Sequence, residues 1–221
     1  MITIDVFSDP ICPWCYIGKK RLDQALAARP DLPIAVRWRA FQLNPDMPRD
    51  GMDRQSYLSA KFGGADRASE VYGQIQRVGS QVGIDFQFDK IPRTPSTLNA
   101  HRLIRYAQRP GLEKADGLMP ALFQAYFMDG KDIGDVAVLL DIAQAVGLDR
   151  PAVQEYLKSR EDEDEVQAED VFARRLGIGG VPCFIIDGKY ALSGAQEPEA
   201  FLPLLDMAVQ EQTAGQSSVE S

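Results

Sequence analysis

The sequence predicts an α/β protein whose single sheet is interrupted by a long helical segment. Three observations carry this reading. Residues 1–50 run strand, helix, strand; residues 178–212 run strand, strand, helix; and residues 51–177 between them repeat apolar side chains at helical spacing.

The opening strand covers Thr3 to Phe7, with Ile4 and Val6 on one face, and Ser8-Asp9-Pro10 breaks it. A helix starts near Cys12, with Pro13 in its first position, where a missing N–H costs nothing. Leu22, Ala25 and Leu26 form its apolar stripe, and Pro30 and Pro33 end it. Ile34 to Phe41 then alternates Ile34, Val36 and Trp38 against Ala35, Arg37 and Arg39, as a strand does. The helix between these strands is long enough for a parallel crossover.

In the middle segment Val71, Ile75, Val78 and Val82 mark one helix. Thr94-Pro95 reads as the start of another, leading to Ala100, Leu103, Ile104 and Ala107. Leu118, Leu122 and Ala125 mark a third. Val136, Leu139, Leu140 and Ala143 mark a fourth, closed by Gly147, and Asp149-Arg150-Pro151 opens a short fifth. The acidic run Glu161–Glu165 precedes a helix from Val166 to Leu176. Acids at its start and Arg174-Arg175 at its end complement the helix dipole, so the run is read as structural. The end of the chain returns to strands: Cys183–Ile186, a turn at Asp187-Gly188, and Lys189–Ser193 pairing back. A last helix spans Pro198 to Val209, and the polar tail 213–221 is expected to be disordered.

The domain reading is therefore a discontinuous α/β domain, 1–50 with 178–212, holding a large all-helical insertion at 51–177. Composition narrows the function classes. With 32 acidic against 24 basic residues the net charge is −8, which disfavours a nucleic-acid partner. No stretch approaches the roughly 20 apolar residues of a membrane span. The first residues carry no signal-peptide or transit-peptide pattern, so the expected location is the cytoplasm. Three cysteines are too few for a disulfide framework and point to packing or chemistry.

Cys12-Pro13-Trp14-Cys15 sits where a strand turns into a helix. Cys12, at the helix start, meets the positive end of the dipole and free N–H groups, which favour a thiolate. Cys15 lies one turn in and is more shielded. Cys12 is thus the attacking thiol and Cys15 the resolving one. A zinc site needs a second ligand pair, and only Cys183 and the single His101 remain, both distant in sequence, so no metal is expected. Gly180-Val181-Pro182 precedes the late strand, a place where a proline needs a reason.

Cys12-Pro13-Trp14-Cys15 together with Val181-Pro182 resembles the thioredoxin superfamily, and the helical insertion resembles its DsbA-like branch. The opening Ser8-Asp9, then Cys12 to Lys19, is similar to the cytoplasmic FrnE-like dithiol–disulfide isomerases, as are Asn99-Ala100-His101-Arg102-Leu103 and Ser193-Gly194-Ala195-Gln196. The resemblance covers all but the tail. It implies a thioredoxin-like fold, a cis Val181–Pro182 bond against the cysteines, substrate hydrogen bonds at the Val181 backbone, and Asn99 and His101 facing the cleft. Pro13, Trp14 and Pro182 would shape the site. No cofactor is implied, with glutathione as a conceivable co-substrate, and the partners would be protein or small-molecule thiols and disulfides.

Three positions depart from better-known relatives. Val6 stands where many carry a buried acid; Asp9 is a candidate substitute, although a turn residue before Pro10 is the simpler reading. Trp14 replaces the histidine of the oxidising periplasmic members. Cys183 follows Pro182 and is read as a packed strand residue. His101 is also readable as a partly buried helix residue with a local bond, and Trp38 and Phe41 as core. Two other function classes fit the same architecture. One is the glutathione-dependent 2-hydroxychromene-2-carboxylate isomerases and kappa-class transferases, which commonly have Ser where Cys12 stands. The other is a non-catalytic peptide-binding or chaperone module.

Overall fold

The computed structural model describes residues 1–217. Strand β1 (Ile2–Ser8) is followed by helix α1 (Pro13–Ala27) and strand β2 (Ile34–Ala40). Strands β3 (Met52–Asp53) and β4 (Arg93–Thr94) form a short separate ribbon. Helices α2 (Arg54–Phe62), α3 (Ala65–Gln81), α4 (Leu98–Gln108), α5 (Glu113–Phe127), α6 (Val136–Ala145), α7 (Arg150–Lys158) and α8 (Glu163–Arg175) fill the middle of the chain. Strands β5 (Cys183–Ile186) and β6 (Tyr190–Ser193) and helix α9 (Leu202–Ser217) complete it.

The sheet order is β2-β1-β5-β6, with β1 parallel to β2 and antiparallel to β5. This topology assembles the site. Strand β1 runs toward Cys12, and β5 runs the opposite way, so its first residues lie beside the last residues of β1. The Phe7–Cys183 register brings Pro182 to the turn that carries Cys12.

Central strand β1 is covered on both faces. Ile4 and Val6 join Ile17, Leu22, Leu103 and Phe123 in the main core, whereas Phe7 joins Phe41, Ala173, Ile178 and Cys183 in a second cluster. Tyr16 of α1 stacks on Phe123 of α5 at 4.9 Å and meets Phe86 edge-on at 6.0 Å. One apolar core thus runs through both the sheet and the middle segment. The boundaries at 50/51 and 177/178 mark a change of pattern along the chain, not a break in packing.

Four expectations need correction. The middle segment is not all helical, because the β3–β4 ribbon lies in it. Thr94-Pro95 is not a helix start: Thr94 pairs with Met52 in the ribbon, and α4 begins at Leu98. The acidic run is more than a dipole complement. Glu163 is buried, with its carboxylate gripped by Arg49 at 3.0 and 2.9 Å and by Arg160 at 3.0 Å, and Asp162 accepts from Arg109 and Tyr156. Finally, α9 continues to Ser217, so residues 213–217 are helical, and 218–221 lie outside the described residues. Among the described residues no helix is long and apolar enough to cross a membrane.

Candidate active site

The turn after β1 closes with the Cys12 N–H donating to the Asp9 carbonyl at 2.9 Å. Cys12 is then the N-cap of α1, in extended conformation, and Pro13 takes the first helical position. The Cys15 N–H donates to the Cys12 carbonyl at 3.0 Å, which places the two thiols one turn apart.

Exposure does not separate the cysteines: Cys12 is 4% and Cys15 2% exposed, so the expected openness of Cys12 is not found. Nor does its side chain cap the helix. The Cys12 thiol instead contacts the Val181 carbonyl at 3.5 Å, and Val181 lines the groove. Cys15 points inward. Burial first, and then the adjoining Cys12 thiol, push the Cys15 pKa well above its ordinary 9.0; the Ser8 hydroxyl and Asp9 backbone only partly oppose this. The difference between the two lies in what each faces.

Val181–Pro182 is cis. Pro182 is held from two sides. Its carbonyl accepts from the Gly194 N–H at 2.8 Å, and α1 approaches so closely that a Cβ on Gly18 would lie 2.8 Å from Pro182 Cγ. Arg21, a buried residue that local sequence did not single out, donates to the Ala195 carbonyl and pairs with Glu197, fixing the segment after β6. An open groove of about 500 Å³ is lined by Trp14, Gly180, Val181, Pro182 and Gly194, and the Cys12 thiol adjoins it through its contact with the Val181 carbonyl.

Of the residues expected to bind substrate, only Val181 lines this groove. Asn99 is turned to Arg102, whose Nη1 donates to its Oδ1 at 2.9 Å. His101 is 2% exposed and does not line the groove. It packs behind Asp9 instead, its Nε2 lying 3.9 Å from Asp9 Oδ1 and lacking a hydrogen-bond partner.

Asp9 is not a simple turn residue. It is fully buried and accepts from the Leu43 N–H at 2.7 Å and the Ile11 N–H at 3.3 Å, tying the loop after β2 to the cysteine turn. Burial raises its pKa to about 7, against the pull of those two N–H groups, the Thr97 side chain and the Lys61 charge. Burial lowers the His101 pKa to about 4, opposed by the Phe41 backbone and the Asp170 carboxylate. The sequence showed both residues, but nothing local paired them.

Cys183 is buried with Phe7, Phe41, Ala173 and Ile178, whereas Cys12 and Cys15 belong to the main core on the other side of β1. Burial raises its pKa, opposed by the Ser193 side chain. It packs the sheet and stands apart from the pair. Trp38 and Phe41 are likewise buried core residues.

Residues 3–206 match the model of the DSBA-like thioredoxin domain. The uncharacterized protein YwbO of Bacillus subtilis (strain 168) is 27% identical over 201 residues, covering 90% of this chain and 94% of YwbO. The crystal structure of a probable DsbA oxidoreductase from Streptomyces coelicolor superimposes with a TM-score of 0.84 at 31% identity, covering 96% of this chain and 91% of that one. A 2-hydroxychromene-2-carboxylate isomerase structure superimposes with a TM-score of 0.66 at 17% identity over 99% of this chain and 100% of that one, a likeness of fold alone. Fold does not choose between these chemistries; the side chains at the groove must.

Proposed function

The chain belongs to the DsbA-like thioredoxin family, and from that premise we propose that it is a FrnE-like dithiol–disulfide reductase and isomerase acting in the cytoplasm. The observation that carries this reading is the position of Cys12 at the start of α1, its thiol against the carbonyl of the groove residue Val181, with Cys15 one turn behind it.

In the reaction the Cys12 thiolate attacks one sulfur of a substrate disulfide. That S–S bond breaks, the departing thiolate takes a proton, and a mixed disulfide joins Cys12 to the substrate. Cys15, after losing its proton, attacks Cys12 Sγ. The Cys12–Cys15 disulfide forms and the second substrate thiol leaves, so the substrate gains two electrons and the enzyme loses two. Two molecules of a monothiol such as glutathione return the pair to its reduced form: the first forms a mixed disulfide with one cysteine, and the second releases that cysteine as a thiol and leaves as glutathione disulfide. If a substrate thiol displaces Cys12 before Cys15 does, the substrate's disulfides are rearranged with no net electron transfer.

The high pKa of Cys15 suits this order, because the resolving thiol stays protonated while Cys12 reacts. In a reducing compartment the resting pair is dithiol, which favours reduction and rearrangement over net oxidation. The intact cysteine pair counts against the glutathione-dependent isomerase reading, in which no second thiol is needed.

The test is reduction of insulin with glutathione as donor, beside reactivation of scrambled ribonuclease. Wild type should accelerate both, and Cys12→Ser neither. Acceleration of neither by wild type would refute the proposal, and full activity in Cys12→Ser would remove its chemistry.

A further inference from the structure

We infer that the helical segment carries a second binding site, for a small monocarboxylate, centred on Arg54 and distinct from the dithiol groove. A cavity of about 380 Å³ lies between α2 and α3, lined also by Phe88, Asp89 and Ile91. That volume falls in the range of small-molecule sites.

Arg54, the first residue of α2, is 8% exposed and lines this cavity. Its Nη1 donates to Thr94 Oγ1 at 3.0 Å and the Tyr126 hydroxyl at 3.4 Å, and its Nη2 to the Tyr72 hydroxyl at 2.8 Å. Its Nε makes no protein hydrogen bond, and no carboxylate lies within ion-pair reach, among the described residues. The other deeply buried arginines are compensated differently. Arg21 pairs with Glu197, and Arg102 donates to four main-chain carbonyls. Arg54 meets only neutral hydroxyls and the faces of Tyr57 and Tyr72, at 5.7 and 5.2 Å. A buried cation without a counter-charge is costly, and an anion entering the cavity would relieve that cost while making a charge-assisted hydrogen bond.

The walls select the ligand. Leu58, Phe88 and Ile91 offer apolar contact for a short body. Asp89, exposed and also lining the cavity, repels a second negative charge, so a monoanion fits better than a phosphate dianion. Gly73 keeps the space open. A Cβ there would meet nothing closer than Arg77 Nη1 at 3.9 Å, so a side chain can start from this cavity-lining position without a clash at its first atom.

The probe is benzoate, titrated into the full chain by calorimetry and by amide chemical shifts. The expected result is one saturable site whose shifts centre on Arg54 and Gly73. Inorganic phosphate and the neutral benzyl alcohol should bind at least about tenfold more weakly. Gly73→Leu fills the cavity, leaves the partners of Arg54 in place and improves a helical position, so it should fold and weaken benzoate by at least about tenfold. Arg54→Gln should do the same; should it fail to fold, Gly73→Leu decides. No saturable binding, unchanged affinity in Gly73→Leu, or equal binding of phosphate or benzyl alcohol would each overturn the inference. The result is independent of the dithiol chemistry.

Discussion

Asp9 and His101 place opposite demands on a proton, and replacing either should tilt the stability–pH profile in its own direction. Folding raises the Asp9 pKa from 3.8 to about 7 and lowers the His101 pKa from 6.5 to about 4, both through burial. For Asp9, the folded carboxyl keeps a proton between those two values that the unfolded one has lost. Its contribution to stability therefore falls as pH rises. For His101, the unfolded imidazole takes up a proton that the folded one refuses. Its contribution falls as pH drops. Between about pH 4.5 and 6.5 the unfolded pair holds one proton, on His101, and the folded pair also holds one, on Asp9, so in wild type the two slopes cancel.

Asp9→Asn leaves the His101 demand alone, so stability should fall by roughly 2 kcal/mol on going from pH 6.5 to 4.5, relative to wild type. His101→Asn leaves the Asp9 demand alone, so stability should rise by roughly 2 kcal/mol over the same span. The assay is urea unfolding, followed by circular dichroism, at three pH values across that range. Only the slopes are compared, so any constant packing cost of either substitution drops out. Slopes of the same sign, or two unchanged slopes, would refute the reasoning.

Trp14→His should make the pair more oxidising, because it restores a cation beside the attacking thiol. The wild-type potential should lie between about −270 mV, as in thioredoxin, and about −120 mV, as in DsbA, nearer the former, as read by titration against glutathione. Gly18→Ala should cost about 1–3 kcal/mol and slow disulfide reduction, since its Cβ would lie 2.8 Å from Pro182 Cγ and 3.2 Å from Phe184; equal stability and rate would show that α1 can yield there. Arg102→Met should cost at least about 3 kcal/mol in urea unfolding, because it strips donors from the carbonyls of Tyr156, Leu157, Ser159 and Glu161.

The parts of the fold legible in the sequence were those fixed by local chemistry. Pro13 at the first helical position, Asp149 as the cap of α7 and Asp187-Gly188 with both φ values positive each specify their own backbone. The cysteine pair was legible for the same reason. What escaped was set by distant partners. Thr94-Pro95 has the composition of a helix start, yet Thr94 pairs with Met52 across the ribbon. Asp9 before Pro10 looks like a turn residue, and only the Leu43 N–H, supplied by the loop after β2, makes it a buried acceptor. His101 followed a helical apolar pattern that fixed its burial but not its neighbour. The groove's shape was equally hidden: it depends on Gly18 of α1 and Gly194 after β6 meeting at Pro182, and on Arg21 of α1 holding the segment after β6 through the Ala195 carbonyl.

The central claim, that Cys12 attacks and Cys15 resolves, is tested most directly by trapping. Cys15→Ser and Cys12→Ser are each incubated with a disulfide substrate, and the covalent adduct is mapped by mass spectrometry. The account predicts that Cys15→Ser accumulates a mixed disulfide on Cys12 and that Cys12→Ser accumulates none. A stable adduct on Cys15 in the Cys12→Ser protein, with none on Cys12 in the other, would contradict it.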